Sequence, residues 1–136
     1  MKRMRVVVAD DVSLVLSVVS AILSDSFEVV GRFSDGSSAL KATLALEPDV
    51  AVLDVSMPGM SGIEVAQELR RRASKTKIVF LTAHGDREVL SACLTAGGLG
   101  YVMKESMGTD LIPALNEAAA GRVFVSHFSF RQNAFC

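Results

Sequence analysis

The sequence predicts an α/β fold: a five-stranded parallel sheet with five helices covering both of its faces. Three observations predict it. Short Val-, Ile- and Leu-rich runs recur at 4–9, 49–54 and 76–82, with the character of strands buried on both sides. Segments with apolar residues at helical spacing lie between them. Gly, Pro and Asp punctuate the joints. Strands that alternate with helices fold into a parallel sheet because each crossover returns to the same edge.

Residues 4–9 form the first strand, closed by Asp10 and Asp11. The helix that follows presents Val15, Val18, Val19 and Ile22 at helical spacing. A second strand covers 28–33, and Ser34-Asp35-Gly36 makes a turn and cap. The helix at 37–46 turns Leu40 and Leu44 inward. The third strand, 49–54, ends on Asp54. Pro58-Gly59 then breaks the backbone, and Ser61-Gly62-Ile63-Glu64 matches a capping box that starts a helix over 62–73. A fourth strand spans 76–82. His84-Gly85-Asp86 leads into a helix ending at Ala96-Gly97-Gly98. The fifth strand covers 99–103. The last helix covers 106–120 with Leu111, Leu115, Ala118 and Ala119 inward, and Gly121 stops it. Pro113 is expected in its first turn, where a missing amide costs nothing. Residues 122–136 hold four of the seven phenylalanines; 122–126 could begin another element that nothing afterwards completes.

Parallel strands present their carboxyl ends to one rim, the usual ligand-binding edge of open α/β sheets. Asp10, Asp11, Asp54, Thr82 and Lys104 fall there. Three converging carboxylates repel one another and raise each other's pKa, a conflict that a divalent cation removes. An all-oxygen ligand set suits magnesium or manganese. A carboxylate nucleophile, a metal, a lysine and a hydroxyl together supply what phosphoryl transfer needs, namely positioning and charge neutralisation.

Composition narrows the alternatives. With 136 residues, 50% hydrophobic and 21% charged, the chain is one globular domain. A net charge of -1 provides no global field for nucleic acid. Cys93 and Cys136 are too few for a disulfide framework, which with the charged Asp10-Asp11 break after Val6-Val7-Val8 points to the cytoplasm. The apolar stretch 14–23 is too short to span a bilayer. The basic run Arg70-Arg71-Arg72 reads as a solvated helix end, Gly98-x-Gly100 as a helix stop and turn, and Cys93 as core. Neither His84 nor His127 has metal-ligand spacing. His84, two residues after Thr82, is a candidate to gate water access.

Asp10-Asp11, Asp54 with Met57-Pro58-Gly59-Met60-Ser61-Gly62, Leu81-Thr82-Ala83 and Gly100-Tyr101-Val102-Met103-Lys104 together resemble the bacterial response regulator receiver domain, in the family's order across residues 4–121. The resemblance implies a doubly wound, flavodoxin-like sheet of strand order 2-1-3-4-5. It implies that Asp54 accepts a phosphoryl group from a sensor histidine kinase or phosphotransfer protein. Asp10, Asp11, Asp54 and the Ser56 main-chain carbonyl would bind Mg2+; Thr82 and Tyr101 would form a switch pair, and Lys104 would contact the phosphoryl group. It places the receiver at 1–121, with 122–136 a tail or truncated linker. Gly97-Gly98 and 121–126 are similar to receivers joined to a LuxR-type helix-turn-helix, yet no such domain follows in this sequence. The chain is therefore expected to be a stand-alone receiver, a truncation or a fragment. Glu105 stands where the family usually has proline after the lysine, so a trans bond or a looser loop is expected there. On this reading the chain is a switch and not an enzyme, with output through protein contact. A homodimer on the Tyr101 face is one such output; the face of the first and last helices is the competitor. Direct DNA or membrane binding is not expected. Two other classes remain: a magnesium-dependent phosphatase using Asp54, which would want an acid/base carboxylate at the position of Ser56, and a flavodoxin-like cofactor module, which would lack the acids.

Overall fold

The computed structural model describes residues 2–126. The strands are β1 (Met4–Ala9), β2 (Phe27–Phe33), β3 (Val50–Asp54), β4 (Lys77–Thr82), β5 (Gly100–Met103) and β6 (Phe124–Val125). The helices are α1 (Ser13–Leu23), α2 (Gly36–Leu46), α3 (Gly62–Arg71), α4 (Arg87–Thr95) and α5 (Met107–Ala119), with one 3-10 turn at Lys104–Ser106. All strands are parallel and run in the order β2-β1-β3-β4-β5-β6. The predicted sheet and its strand order are present, extended at one edge by β6.

Strand alternation divides the interior in two. Val6, Val8, Val50, Val52, Val79, Leu81 and Val102 face α1 and α5. The intervening Ala51, Leu53, Ile78, Phe80 and Tyr101 face α2, α3 and α4. β3 lies at the centre with every residue buried, so both parities of its sequence must be apolar until Asp54. That is why the run reads as continuous and not alternating.

Local chemistry sets the joints. The Ser61 side chain accepts from the Glu64 amide at 3.1 Å and Glu64 accepts from the Ser61 amide at 2.8 Å, which completes the expected capping box. Asp35 caps α2 and Asp86 caps α4 through their side chains. Gly97 ends α4 with φ +98, a left-handed conformation that a Cβ would oppose. Pro113 departs from expectation. α5 begins at Met107, so the proline lies beyond the first turn. Its ring removes a backbone donor inside the helix, a defect of about 3 kcal/mol or more in an isolated helix. Fully buried Leu111, Ala114, Leu115 and Ala118 on either side hold the helix against the sheet and override that propensity. No cis peptide occurs among the described residues, so the Lys104–Glu105 bond is trans.

Residues 122–126 do form an element. Phe124 and Val125 pair with Gly100 and Tyr101, and Ser126 is buried behind them. The expectations for His127 and for the phenylalanines beyond it lie outside the described residues.

Candidate functional site

The carboxyl ends of β1, β3, β4 and β5 meet as predicted. Asp10 follows β1 and is fully buried; Asp54 ends β3 and is 5% exposed; Asp11 is exposed. Carboxylate oxygens of all three lie within 4.8 Å of one another. Lys104, one residue past β5, places Nζ 2.9 Å from Asp10 Oδ2 and 3.3 Å from Asp54 Oδ2. The Val12 amide donates to Asp10 Oδ1 at 2.9 Å, which fixes that carboxylate at the entry to α1.

The electrostatics follow from the burial. Burial, then the neighbouring Asp10 charge, pushes the Asp54 carboxyl up to about 6; Lys104 and the Ser56 amide pull the other way without cancelling them. Burial works against the Lys104 charge, but contact with Asp10 and Asp54 outweighs it and holds the amine above the ordinary lysine range. One lysine thus serves two buried carboxylates. Asp10 Oδ2 is fully buried and shares the one Lys104 amine, 2.9 Å away, with Asp54 Oδ2. Two buried carboxylates sharing one amine keep an excess of negative charge out of water, which is costly. A second cation beside them would answer both that excess and the raised Asp54 pKa. The donor set is all oxygen, so the residues present fit Mg2+.

Thr82 and Tyr101 come together beside this cluster. Thr82 Oγ1 donates to the His84 carbonyl at 3.2 Å and accepts from the His84 amide at 3.2 Å. Tyr101 Oη donates to the same His84 carbonyl at 3.3 Å. Tyr101 is fully buried in the cluster that includes Val89, Leu90 and Cys93 of α4. His84 therefore contributes its backbone as the shared contact of the pair, a role that its side-chain chemistry does not advertise. Ser56 lies two residues beyond Asp54, its amide 3.3 Å from Asp54 Oδ1.

Two site features are not legible in the sequence. Gly62 reads there as part of the cap and of the receiver-like motif, with no reason given for a glycine. An added Cβ would come 2.1 Å from the Asp54 carbonyl oxygen, so α3 can start this close to β3 only on a glycine. Ser126 falls in the unassigned tail. Its Oγ donates to Asp110 Oδ2 at 2.6 Å and accepts from the Met103 amide, next to Lys104, at 3.1 Å. The basic run is accounted for within the fold: Arg71 and Arg72 pair with Glu68, and Arg70 donates to the Thr95 carbonyl at the end of α4.

The family model of the response regulator receiver domain matches residues 6–116. A curated relative described as "probable transcriptional regulatory protein NarL" from Mycobacterium tuberculosis is 39% identical over 127 residues, covering 92% of this chain and 59% of that protein. The transcriptional regulatory protein LiaR of Bacillus subtilis is 34% identical over 119 residues, covering 86% of this chain and 56% of the relative. The chain thus spans little more than half the length of these relatives. Among solved structures, the signal receiver domain of the M. tuberculosis response regulator NarL superposes with a TM-score of 0.86 at 37% identity, covering 90% of this chain and 100% of that one. The isolated receiver domain of RcsB from Salmonella enterica serovar Typhimurium, determined with the phosphomimetic BeF3-, gives 0.83 at 30% identity, covering 93% and 95%. The family matched is a receiver domain and not an enzyme family. With its acidic cluster and its sheet order, this chain belongs to the response regulator receiver domains, of the kind found in NarL/LuxR-family transcription regulators.

Proposed function

We propose that this chain is a phosphorylation-controlled switch in which Asp54 is the phosphoacceptor. The observation that carries it is the convergence of Asp10, Asp11 and Asp54 on one rim with Lys104 touching the two buried acids. Asp10, Asp11, Asp54 and the Ser56 carbonyl would hold Mg2+. When bound, the ion neutralises charge on the acids and on the incoming phosphoryl oxygens. An Asp54 carboxylate oxygen attacks phosphorus; the O–P bond forms as the P–N bond of a kinase or phosphotransfer-protein phosphohistidine breaks, and the departing imidazole takes up a proton. Lys104 turns from the carboxylates to the phosphoryl oxygens, and the Thr82 hydroxyl donates to another. That movement takes Thr82 from the His84 carbonyl it now shares with Tyr101 and changes the packing of Tyr101.

Ser56 stands where a phosphatase would want an acid/base carboxylate, which favours a lasting acyl phosphate over turnover. Incubation with acetyl phosphate and Mg2+ tests this. Intact mass should rise by one phosphoryl group in the wild type and not in Asp54→Ala or with chelator. Rapid release of inorganic phosphate without accumulation would favour the phosphatase instead.

The output is protein contact, and the chain acts as the receiver portion of a cytoplasmic transcription regulator. No described helix is long and apolar enough to cross a membrane. The α4–β5–α5 face is tied to the switch through Tyr101 and Lys104. A second face has its own support: α1 leaves Leu14 70% and Val18 38% exposed. Sedimentation with Mg2+ and beryllofluoride separates the two, since Leu14→Ser would abolish self-association only if α1 forms the dimer.

A further inference from the structure

The segment after α5 is bonded to the same strand that carries the switch. The Phe124 amide donates to the Leu99 carbonyl at 2.8 Å, and the Ser126 amide donates to the Tyr101 carbonyl at 2.8 Å. The Met103 amide returns a bond to Ser126 Oγ at 3.1 Å. Ser126 Oγ in turn donates to Asp110 Oδ2 on α5 at 2.6 Å, and Ser126 is 3% exposed. Phe124 packs against the α1/α5 side of the core. Only two residues make the strand, so its pairing with β5 is short and its hold rests on the buried Ser126. A two-residue strand has little stability of its own.

The two β5 residues that Ser126 grips are Tyr101 and Met103. Tyr101 bonds to the His84 carbonyl, the contact it shares with Thr82. Met103 precedes Lys104, whose amine touches Asp10 and Asp54. The switch side chains and the backbone groups that hold β6 thus belong to the same or adjacent residues of one short strand end.

We propose that 124–126 is a strap latched onto β5 by Ser126 and Asp110, and that occupancy of Asp54 loosens it, so that the β5 edge is closed in the free protein and opened on phosphorylation. The strap rests on the phosphoacceptor reading of Asp54. It gives the α4–β5–α5 face a covered state and an uncovered one. It also makes residues 124–126 respond to the change at Asp54. Coupling between two sites is reciprocal: if occupancy weakens the strap by a given factor, the strap weakens occupancy by the same factor.

Hydrogen exchange on the full chain, with Mg2+ alone and with Mg2+ and beryllofluoride, tests both directions. Beryllofluoride should speed exchange at the Phe124 and Ser126 amides by about tenfold, an ordinary size for coupled sites, while the Val52 amide in β3 stays protected. Ser126→Ala, which removes the latch, and Asp110→Asn, which weakens it without changing its shape, should bind beryllofluoride more tightly by up to that factor. A strap that merely stabilises the fold would lower the unfolding midpoint in both variants without moving this affinity. Beryllofluoride that binds but leaves Ser126 exchange unchanged, or variants whose affinity equals that of the wild type, overturns the strap alone. Absence of any beryllofluoride binding in the presence of Mg2+ overturns the phosphoacceptor reading and the strap with it.

Discussion

Replacing Asp54 by Asn should stabilise the metal-free protein near neutral pH. The Asp54 carboxyl is raised from 3.8 to about 6, by burial first and by the Asp10 charge second. A group with a raised folded-state pKa favours folding below its unfolded pKa, and that advantage is lost as pH rises through the folded value. The window here is roughly pH 4 to 6. Above it the folded protein carries an ionised Asp54 that the unfolded chain would accommodate more easily. A rise of that size corresponds to about 3 kcal/mol. Asn keeps the shape and removes the charge; the lost Lys104 attraction is already within that net shift, Lys104 keeps Asp10 at 2.9 Å, and partial solvent screening at the rim lowers the figure. A net gain of about 2 kcal/mol is expected, roughly 5–10 °C in Tm for a domain of this size. Urea unfolding in EDTA at pH 7.5 and pH 4.5 is the assay. The variant should be more stable at pH 7.5, and most of the difference should vanish at pH 4.5. Magnesium should stabilise the wild type at pH 7.5 and the variant much less. A variant less stable than wild type at pH 7.5 in EDTA, or a gain of equal size at both pH values, would refute the reasoning.

Other perturbations test separate parts of the site. Gly62→Ala forces a Cβ against the Asp54 carbonyl and should cost about 1–3 kcal/mol in chemical denaturation while weakening Mg2+ binding; wild-type values for both would show that α3 can back away from β3 freely. Thr82→Ala should still accept a phosphoryl group yet lose the phosphorylation-induced NMR shift change at Tyr101, and retention of that change would disprove the coupling through the His84 carbonyl. Ser61→Ala removes the cap from α3 and should lower stability by about 1 kcal/mol, read as a shifted urea midpoint with an unchanged slope. Cys93 is buried and its thiol is pushed up to about 12 by that burial, so peptide mapping after iodoacetamide at pH 8 should find it unmodified until urea unfolds the protein; native-state alkylation would place it outside the core.

The parts of this fold visible in the sequence are those where one local signal and one global constraint agree. β3 is apolar on both parities because it is central, and its end is marked by Asp54 and then by a capping box that forms with both bonds. Asp10, Asp54, Thr82 and Lys104 fall on one rim from the sequence alone, since parallel strands share an edge. Pro113 misleads because propensity is local: burial of Leu111 and Leu115 keeps α5 helical past a residue that would break an isolated peptide. β6 has no periodicity to read in two residues, and its stability comes from a serine whose partners lie on α5 and β5. Gly62 stands in the receiver-like motif, but only the closeness of the Asp54 carbonyl shows why no side chain fits there. The role of His84 is hidden for a different reason. Its backbone carbonyl, which no sequence pattern labels, is where Thr82 and Tyr101 meet.

The central claim is that Asp54, held among Asp10, Asp11 and Lys104, is the residue that takes the phosphoryl group. Borohydride reduces an aspartyl phosphate to homoserine and leaves a free carboxylate alone. Protein treated with acetyl phosphate and Mg2+, then reduced, digested and sequenced by mass spectrometry, should show homoserine at position 54 and at no other aspartate, with none formed in EDTA. Homoserine at Asp10 or Asp11, or equal conversion with and without the metal, would contradict the account.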